Sequence, residues 1–232
     1  MLTIRKSEQR GKADHGWLNA RHTFSFANYY DPENMGFSSL RVINDDRIEP
    51  GKGFPTHGHR DMEIITYVIE GEIAHKDNQG NVKTLPAGEF QLMSAGSGIS
   101  HSEYNHSQED QLKLLQIWIE PNVRGQQPGY QQKNFGQTQG LTHIASPEGT
   151  AGTLLIKQNA HLHHLLLNSA ESLTLESQLP QQYVHVIAGQ LDVNGERLGP
   201  GDGLKVSDEK ALTFTAVGDL HVEALVFELP GK

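Results

Sequence analysis

Two short clusters in this sequence carry donor atoms at a spacing that suits metal chemistry. His57-Gly58-His59 and His101-Ser102-Glu103 each place two donor side chains at i and i+2. In an extended strand those positions point to the same face. Two such strands facing one another offer three imidazoles and one carboxylate to a single cation. That donor set suits a first-row divalent metal and leaves coordination positions open. Neither pair carries weight alone; their combination does. Glu63 competes for the carboxylate role, because 57, 59, 61 and 63 alternate onto one face. Four residues of strand cover about 13 Å and two cover about 7 Å, so Glu63 reaches the same ion only if the chain bends after His59.

Other candidates read more plainly. His161, His163 and His164 open a strand-like run with no acid or distant histidine at a recognisable spacing. They read as exposed strand histidines or an adventitious metal site. His22, in the aromatic run Thr23-Phe-Ser-Phe26, reads as a satisfied packing residue. Trp17, Phe24, Phe26, Tyr29 and Tyr30 read first as core, some of them as pocket wall.

Strands must position these donors, and the chain is rich in them. Leu40-Arg-Val-Ile43, Glu63 to Ile69, Lys113 to Ile119, Leu162 to Leu167 and Val222 to Leu229 are β-rich runs separated by Gly, Pro, Asn and Asp turns. Regular short strands of this kind predict a sandwich or barrel. Pro32-Glu33-Asn34 and Asp208-Glu209-Lys210 predict turns or single helical turns. The stretch Arg124 to Gly140 is rich in Gln, Gly and Pro and reads as a crossover packed on the surface.

A weak repeat divides the chain in two. Tyr67-Val-Ile-Glu-Gly71, a turn at Asp77-Asn-Gln-Gly80 and Pro86-Ala-Gly88-Glu89 recur as Val184-His-Val-Ile-Ala-Gly189, Asn194-Gly195 and Pro200-Gly201-Asp202. Asn-Gly is a strong hairpin signal. Counting from the marker glycines sets Leu175 and Ser177 opposite His57 and His59. The same count sets Phe214 and Ala216 opposite His101 and Glu103. The second copy therefore lacks the donors.

Composition excludes several classes. The 232 residues suffice for one large domain or two small ones. A formal charge of -9 without a basic block disfavours nucleic acid. With 0 cysteines, disulfides, thiolate zinc sites, Fe–S clusters and cysteine nucleophiles are out. No apolar run is long enough to span a membrane, and the start is polar, so a cytoplasmic location with no membrane partner is expected.

The sequence resembles the pirin family of two-domain cupins. The matching segments are His15-Gly-Trp17, His22-Thr-Phe-Ser-Phe26, Arg41-Val-Ile-Asn-Asp45, His57-x-His59 with Asp61-Met-Glu63, Leu85-Pro-Ala-Gly-Glu89, and Met93-Ser-Ala-Gly-Ser-Gly-Ile-x-His101-Ser-Glu103. They cover most of residues 15–120. The resemblance implies an all-β bicupin of two cupin-type β-sandwich barrels: a metal-binding cupin at 1–124, a crossover at 125–140, and a degenerate, metal-free cupin at 141–232. It implies His57, His59, His101 and Glu103 as ligands of one divalent metal of iron type, Fe(II), though Ni, Co, Mn, Cu or Zn suits the same shell. Glu63 then becomes a buried structural acid or a support behind the ligands.

Bacterial relatives look like quercetin 2,3-dioxygenases. The implied substrates are a flavonol such as quercetin and O2, with Glu103 as the catalytic base. Animal relatives look like iron-dependent nuclear partners of transcription regulators, which implies as alternative a redox-sensitive, non-catalytic module that binds a protein partner. The sequence departs from the family at Gly58, where pirin-like sequences usually carry proline, and at His106, which reads as a solvated group near the site mouth.

Overall fold

In the outer strands of this protein buried and exposed side chains alternate, whereas the central strands are buried continuously. The computed structural model describes residues 1–231. In chain order the strands are β1 (Leu2–Arg5), β2 (Gly11–Asp14), β3 (Leu18–His22), β4 (Leu40–Ile48), β5 (Gly53–His59), β6 (Glu63–Glu70), β7 (Glu72–Asp77), β8 (Val82–Pro86), β9 (Glu89–Ser94), β10 (Ile99–Asn105) and β11 (Leu112–Ile119), then β12 (Gly129–Asn134), β13 (Gly140–Ser146), β14 (Leu154–Leu155), β15 (His161–Leu167), β16 (Ser172–Glu176), β17 (Gln181–Ala188), β18 (Gln190–Val193), β19 (Glu196–Leu198), β20 (Gly203–Ser207), β21 (Ala211–Val217) and β22 (Val222–Leu229). The only helical elements among the described residues are two 3-10 turns, Ser7–Gln9 and Thr150–Gly152. Residues 32–34 and 208–210 form turns and bends.

Each half pairs a seven-stranded sheet with a four-stranded one. The first half has the order β12-β9-β6-β11-β4-β3-β2 over β5-β10-β7-β8; the second has β1-β20-β17-β22-β15-β13-β14 over β16-β21-β18-β19. The two are the expected cupin-type β-sandwich barrels. The long strands β6, β15 and β22 are buried almost throughout. One face of each lines its own barrel, and the other packs against the opposite half. That second contact is a cluster in which Phe24, Ile43, Tyr67 and Phe90 of the first half meet Leu162, Tyr183, Leu225 and Phe227 of the second.

Two strands cross the expected division. β1 pairs with β20 in the second half. The stretch 125–140 does more than carry the chain over the surface: β12 within it pairs with β9 as the edge of the first half's large sheet.

Strand pairing also corrects the repeat register. Glu103 faces His75 on β7, and Asn105 faces Ile73, two residues past Gly71. In the second half Phe214 faces Val193, and Ala216 faces Leu191, two residues past Gly189. Phe214 therefore matches Glu103, and Leu212 matches His101, a slip of two from the glycine count. Leu175 faces Leu212 as His57 faces His101.

The barrel interiors differ accordingly. The second is filled by one continuous apolar cluster of 15 buried residues, Leu212 and Phe214 among them. The first holds two smaller clusters, one around Ile48, Val68, Leu85 and Leu114 and one around Ile64, Met93 and Ile99. Polar side chains and a cavity separate them.

Candidate metal centre

The paired donors arrive on adjacent antiparallel strands. On β5 and β10, His57 lies directly opposite His101 and His59 opposite Ile99. The three rings converge: His59 Nε2 lies 3.0 Å and His57 Nε2 lies 3.1 Å from His101 Nε2. The Nδ1–H of His57 donates to the Pro55 carbonyl at 2.8 Å, which leaves Nε2 to face the cluster as a lone pair. Burial, followed by the charge of His57, lowers His59 to about 4; burial and then His57 and His59 lower His101 to about 3. Both rings are thus neutral at physiological pH, the form in which imidazole is a ligand.

Three imidazole nitrogens turned on one point suit a shared cation, which all three can ligate at once. Nitrogens about 2.0–2.1 Å from one ion lie about 2.8–3.4 Å apart at octahedral or tetrahedral angles, a range that includes the spacing seen here. The site fits a divalent metal.

Glu103 sits one step deeper. A register irregularity between His101 and Glu103 breaks the β5–β10 ladder. The fully buried carboxylate groups with His101 and His75, while His57, His59 and His101 form a separate convergent set. Gln116 donates to Glu103 Oε2 at 3.0 Å, and Oε1 has no partner. Burial pushes the Glu103 carboxyl up to about 7 against the hydrogen bonds that ionisation would gain.

Glu63 lies elsewhere. The chain turns at Asp61, with φ of 49°, and Glu63 begins β6 in the other sheet. Its Oε2 accepts from Ser94 Oγ at 2.8 Å and from the Lys157 backbone N–H at 3.1 Å. It is a buried structural acid that ties the first half to the second. His106 is exposed.

The second-half histidines are not the exposed residues expected from the sequence. His163 and His164 are buried because β15 lies within a sheet covered on both faces. His163 Nε2 meets Glu228 at 3.0 Å and His164 Nε2 meets Glu223 at 2.9 Å. His161 is half-buried, with Nδ1 3.1 Å from His143 Nε2. Among the described residues this cluster is not one of the convergent triads of metal donors.

A cavity of about 800 Å3 opens beside the rings. Trp17, His22, Phe26, Tyr29, Phe54 and Trp118 line it together with His57, His59 and Glu103. Its volume suits a drug-sized ligand. Trp118 stands edge-on to His59 with centroids 5.0 Å apart. His22 is satisfied by Asn44 Oδ1 at 2.8 Å and also forms part of the wall. Phe24 belongs to the core between the halves, whereas Tyr30 is 72% exposed and belongs to neither core nor wall.

Sequence reasoning missed several site residues. Asp46 reaches the cavity from β4; burial, then the charges of Asp45 and Glu103, push it up to about 8, so it is a neutral acid at pH 7. His75, on β7 opposite Glu103, pairs with buried Asp77 at 3.0 Å. Gln116 belongs to a polar row across the floor of the large sheet. His22 faces Asn44, Asn44 faces Gln116, Gln116 faces Thr66, and Thr66 faces Gln91. A signal in the sequence exists at two of these positions, where one polar residue interrupts an apolar run: Gln116 in Leu114-Leu-Gln-Ile-Trp118 and Thr66 in Ile64-Ile-Thr-Tyr-Val68.

Comparison with known proteins places both halves. The sequence profile described as Pirin matches residues 3–119, and that of the quercetinase C-terminal cupin domain matches 143–229. The chain is 48% identical over 231 residues to the quercetin 2,3-dioxygenase of Escherichia coli K12, covering 99% of each. The crystal structure of YhhW from Escherichia coli superposes with a TM-score of 0.97 at 47% identity, covering 100% of this chain and 99% of that one. The nickel(II) complex of the bacterial pirin YhhW matches at 0.96 and 47%, covering 100% of both chains. A matching profile over the first half, and relatives of the same length throughout, make this chain a member of the pirin family.

Proposed function

We propose that this protein is a metal-dependent dioxygenase that opens flavonols such as quercetin with O2, and that His57, His59, His101 and Glu103 hold its one divalent cation, Fe(II) in the native protein. One observation carries the reading: three imidazole nitrogens meet at 3.0–3.1 Å at the wall of a large, aromatic-lined cavity. The relative named quercetin 2,3-dioxygenase and the nickel(II) complex of YhhW support it. When bound, the cation supplies Lewis acidity and the redox reach that lets a flavonol meet dioxygen.

The remaining work falls to the chain. The aromatic walls from Trp17, Phe26 and Tyr29 stack against planar rings and exclude water. Glu103 takes up the flavonol 3-hydroxyl proton at Oε1, the oxygen Gln116 leaves open, while Gln116 keeps Oε2 oriented. Neutral Asp46 donates a hydrogen bond to a substrate oxygen from the floor of the cavity. Incubating the metal-loaded protein with quercetin under oxygen tests the proposal. Carbon monoxide released in proportion to flavonol consumed is the expected result. Metal-replete protein that consumes neither flavonol nor oxygen would overturn it.

A further inference from the structure

The chain carries a formal charge of -9, yet four cations gather at one end of the contact between its halves. β3 and β4 turn Ala20, Asp46 and Ile48 into the first barrel; the alternate residues Arg21, Asp45 and Arg47 therefore face out. Lys113 of β11 does the same. Register places Arg21 opposite Asp45 and Arg47 opposite Lys113. The second half supplies the facing wall with His185, Ile187 and Gly201, and the turn after β1 adds Ser7 and Arg10. Together they enclose a crevice of about 240 Å3, far smaller than the 800 Å3 cavity on the opposite face of the same sheet.

The cations are poorly compensated. Asp45 meets Arg10 at 3.6 Å. Among the described residues no carboxylate forms an ion pair with Arg21, Arg47 or Lys113. Arg10 is 6% exposed; its Nη2 reaches Ser7 Oγ at 3.1 Å, and its Nη1 is buried without a partner. His185 is likewise buried, with Nδ1 unpartnered. Nearby Asp202 does not offset the excess, because it is already held by Lys6 Nζ at 2.9 Å and by the Ser7 and Gly199 N–H groups. A buried guanidinium nitrogen left open costs desolvation that only an acceptor from outside can return.

We propose that this crevice binds a small polyanion of the phosphoryl or polycarboxylate class, held by Arg10, Arg21, Arg47 and Lys113 and bridging the two halves. Guanidinium forks match planar or tetrahedral oxyanions in paired contacts. The site lies across the sheet from the metal cluster, and its ligand is chemically unlike a flavonol.

Titration calorimetry of the metal-loaded full chain at low ionic strength tests this, with inorganic phosphate and citrate as probes. We expect one-to-one binding of at least one probe. The double variant Arg47→Gln/Lys113→Gln removes two side chains that carry no ion pair, so the fold is spared, and should weaken that binding at least about tenfold. The same anion should raise Tm in the wild type and not in the double variant. Tighter phosphate assigns a phosphoryl ligand and tighter citrate a polycarboxylate. The His57→Ala variant should bind the probe as the wild type does. Absence of binding by both probes, affinity unchanged in the double variant, or affinity lost in His57→Ala would each overturn the proposal.

Discussion

His57, His59 and His101 turn their ring nitrogens on one point, an arrangement that suits a shared cation. Replacing His57 or His101 with Ala is expected to remove bound metal and flavonol turnover together, read by elemental analysis and carbon monoxide release. Glu103→Gln should keep part of the metal and lose most of the turnover, since the amide retains an oxygen donor but takes up no proton; a variant with undiminished rate would remove Glu103 from proton transfer. A separate residue contributes to acid stability. Burial, then the charge of Arg10, lowers fully buried His185 to about 3. Below its unfolded value of about 6.5 the unfolded chain takes up a proton that the folded one refuses. Stability linked to His185 is therefore present above pH 6.5 and falls by about 1.4 kcal/mol per pH unit below it. His185→Gln should flatten the acid limb of a urea-midpoint profile by about that slope; an unchanged limb would contradict the assignment. At this scale the three converging histidines were legible because each pair of donors lies within three residues. Asp46, His75 and Gln116 were not: Asp46 and His75 lie in polar runs that do not single them out, Gln116 is a lone polar residue among aliphatics, and all three gain their neighbours only through pairing with a distant strand.

The ligand strand β5 shows how much a single backbone position decides. Gly58, the departure from the family's usual proline, has ordinary extended space around it: a Cβ there would come no closer than 3.8 Å to any atom. Gly58→Ala should raise stability by about 0.4–1 kcal/mol through the unfolded chain and leave metal loading intact. Gly53, at the other end of β5, is the opposite case. A Cβ there would lie 2.1 Å from the Glu103 carbonyl oxygen and 2.5 Å from Tyr104 Cα. Gly53→Ala should cost about 1–3 kcal/mol and shift Glu103, lowering both Tm and turnover. The five β-rich runs chosen from the sequence all became strands, because continuous apolar runs flanked by turn residues are what central strands require. The exposure of His163 and His164 was misjudged for a related reason: β15 is covered on both faces, and a single sequence does not show which strand sits centrally. The repeat count slipped by two past the hairpin, since a glycine marks a turn and not the pairing partner beyond it.

The molecule as a whole is held by a core that belongs to neither half, with Phe24, Tyr67 and Phe90 packed against Tyr183 and Phe227. Tyr67 adds a hydrogen bond to Glu223 at 2.5 Å, and His164 reaches the same oxygen. We expect one calorimetric transition with equal calorimetric and van't Hoff enthalpies; two resolved transitions would show that the halves fold separately. The two-barrel plan was legible from the repeat and the turn spacing. The exchange of β1 into the second half was not, because Leu-Thr-Ile-Arg carries no mark of which sheet edge it will join. The crossover has its own ties: the Gly125 N–H meets Asp61 Oδ1 at 2.6 Å, and the Ser97 N–H meets the Gln126 carbonyl at 2.7 Å. It thereby straps the turn that follows His59 and the turn that precedes His101. Scission of the exposed Arg124–Gly125 bond by trypsin should then be nearly silent. The fragments would co-elute at the size of the uncut protein and separate only under denaturant, and the new Gly125 ammonium would stay beside the Asp61 carboxylate.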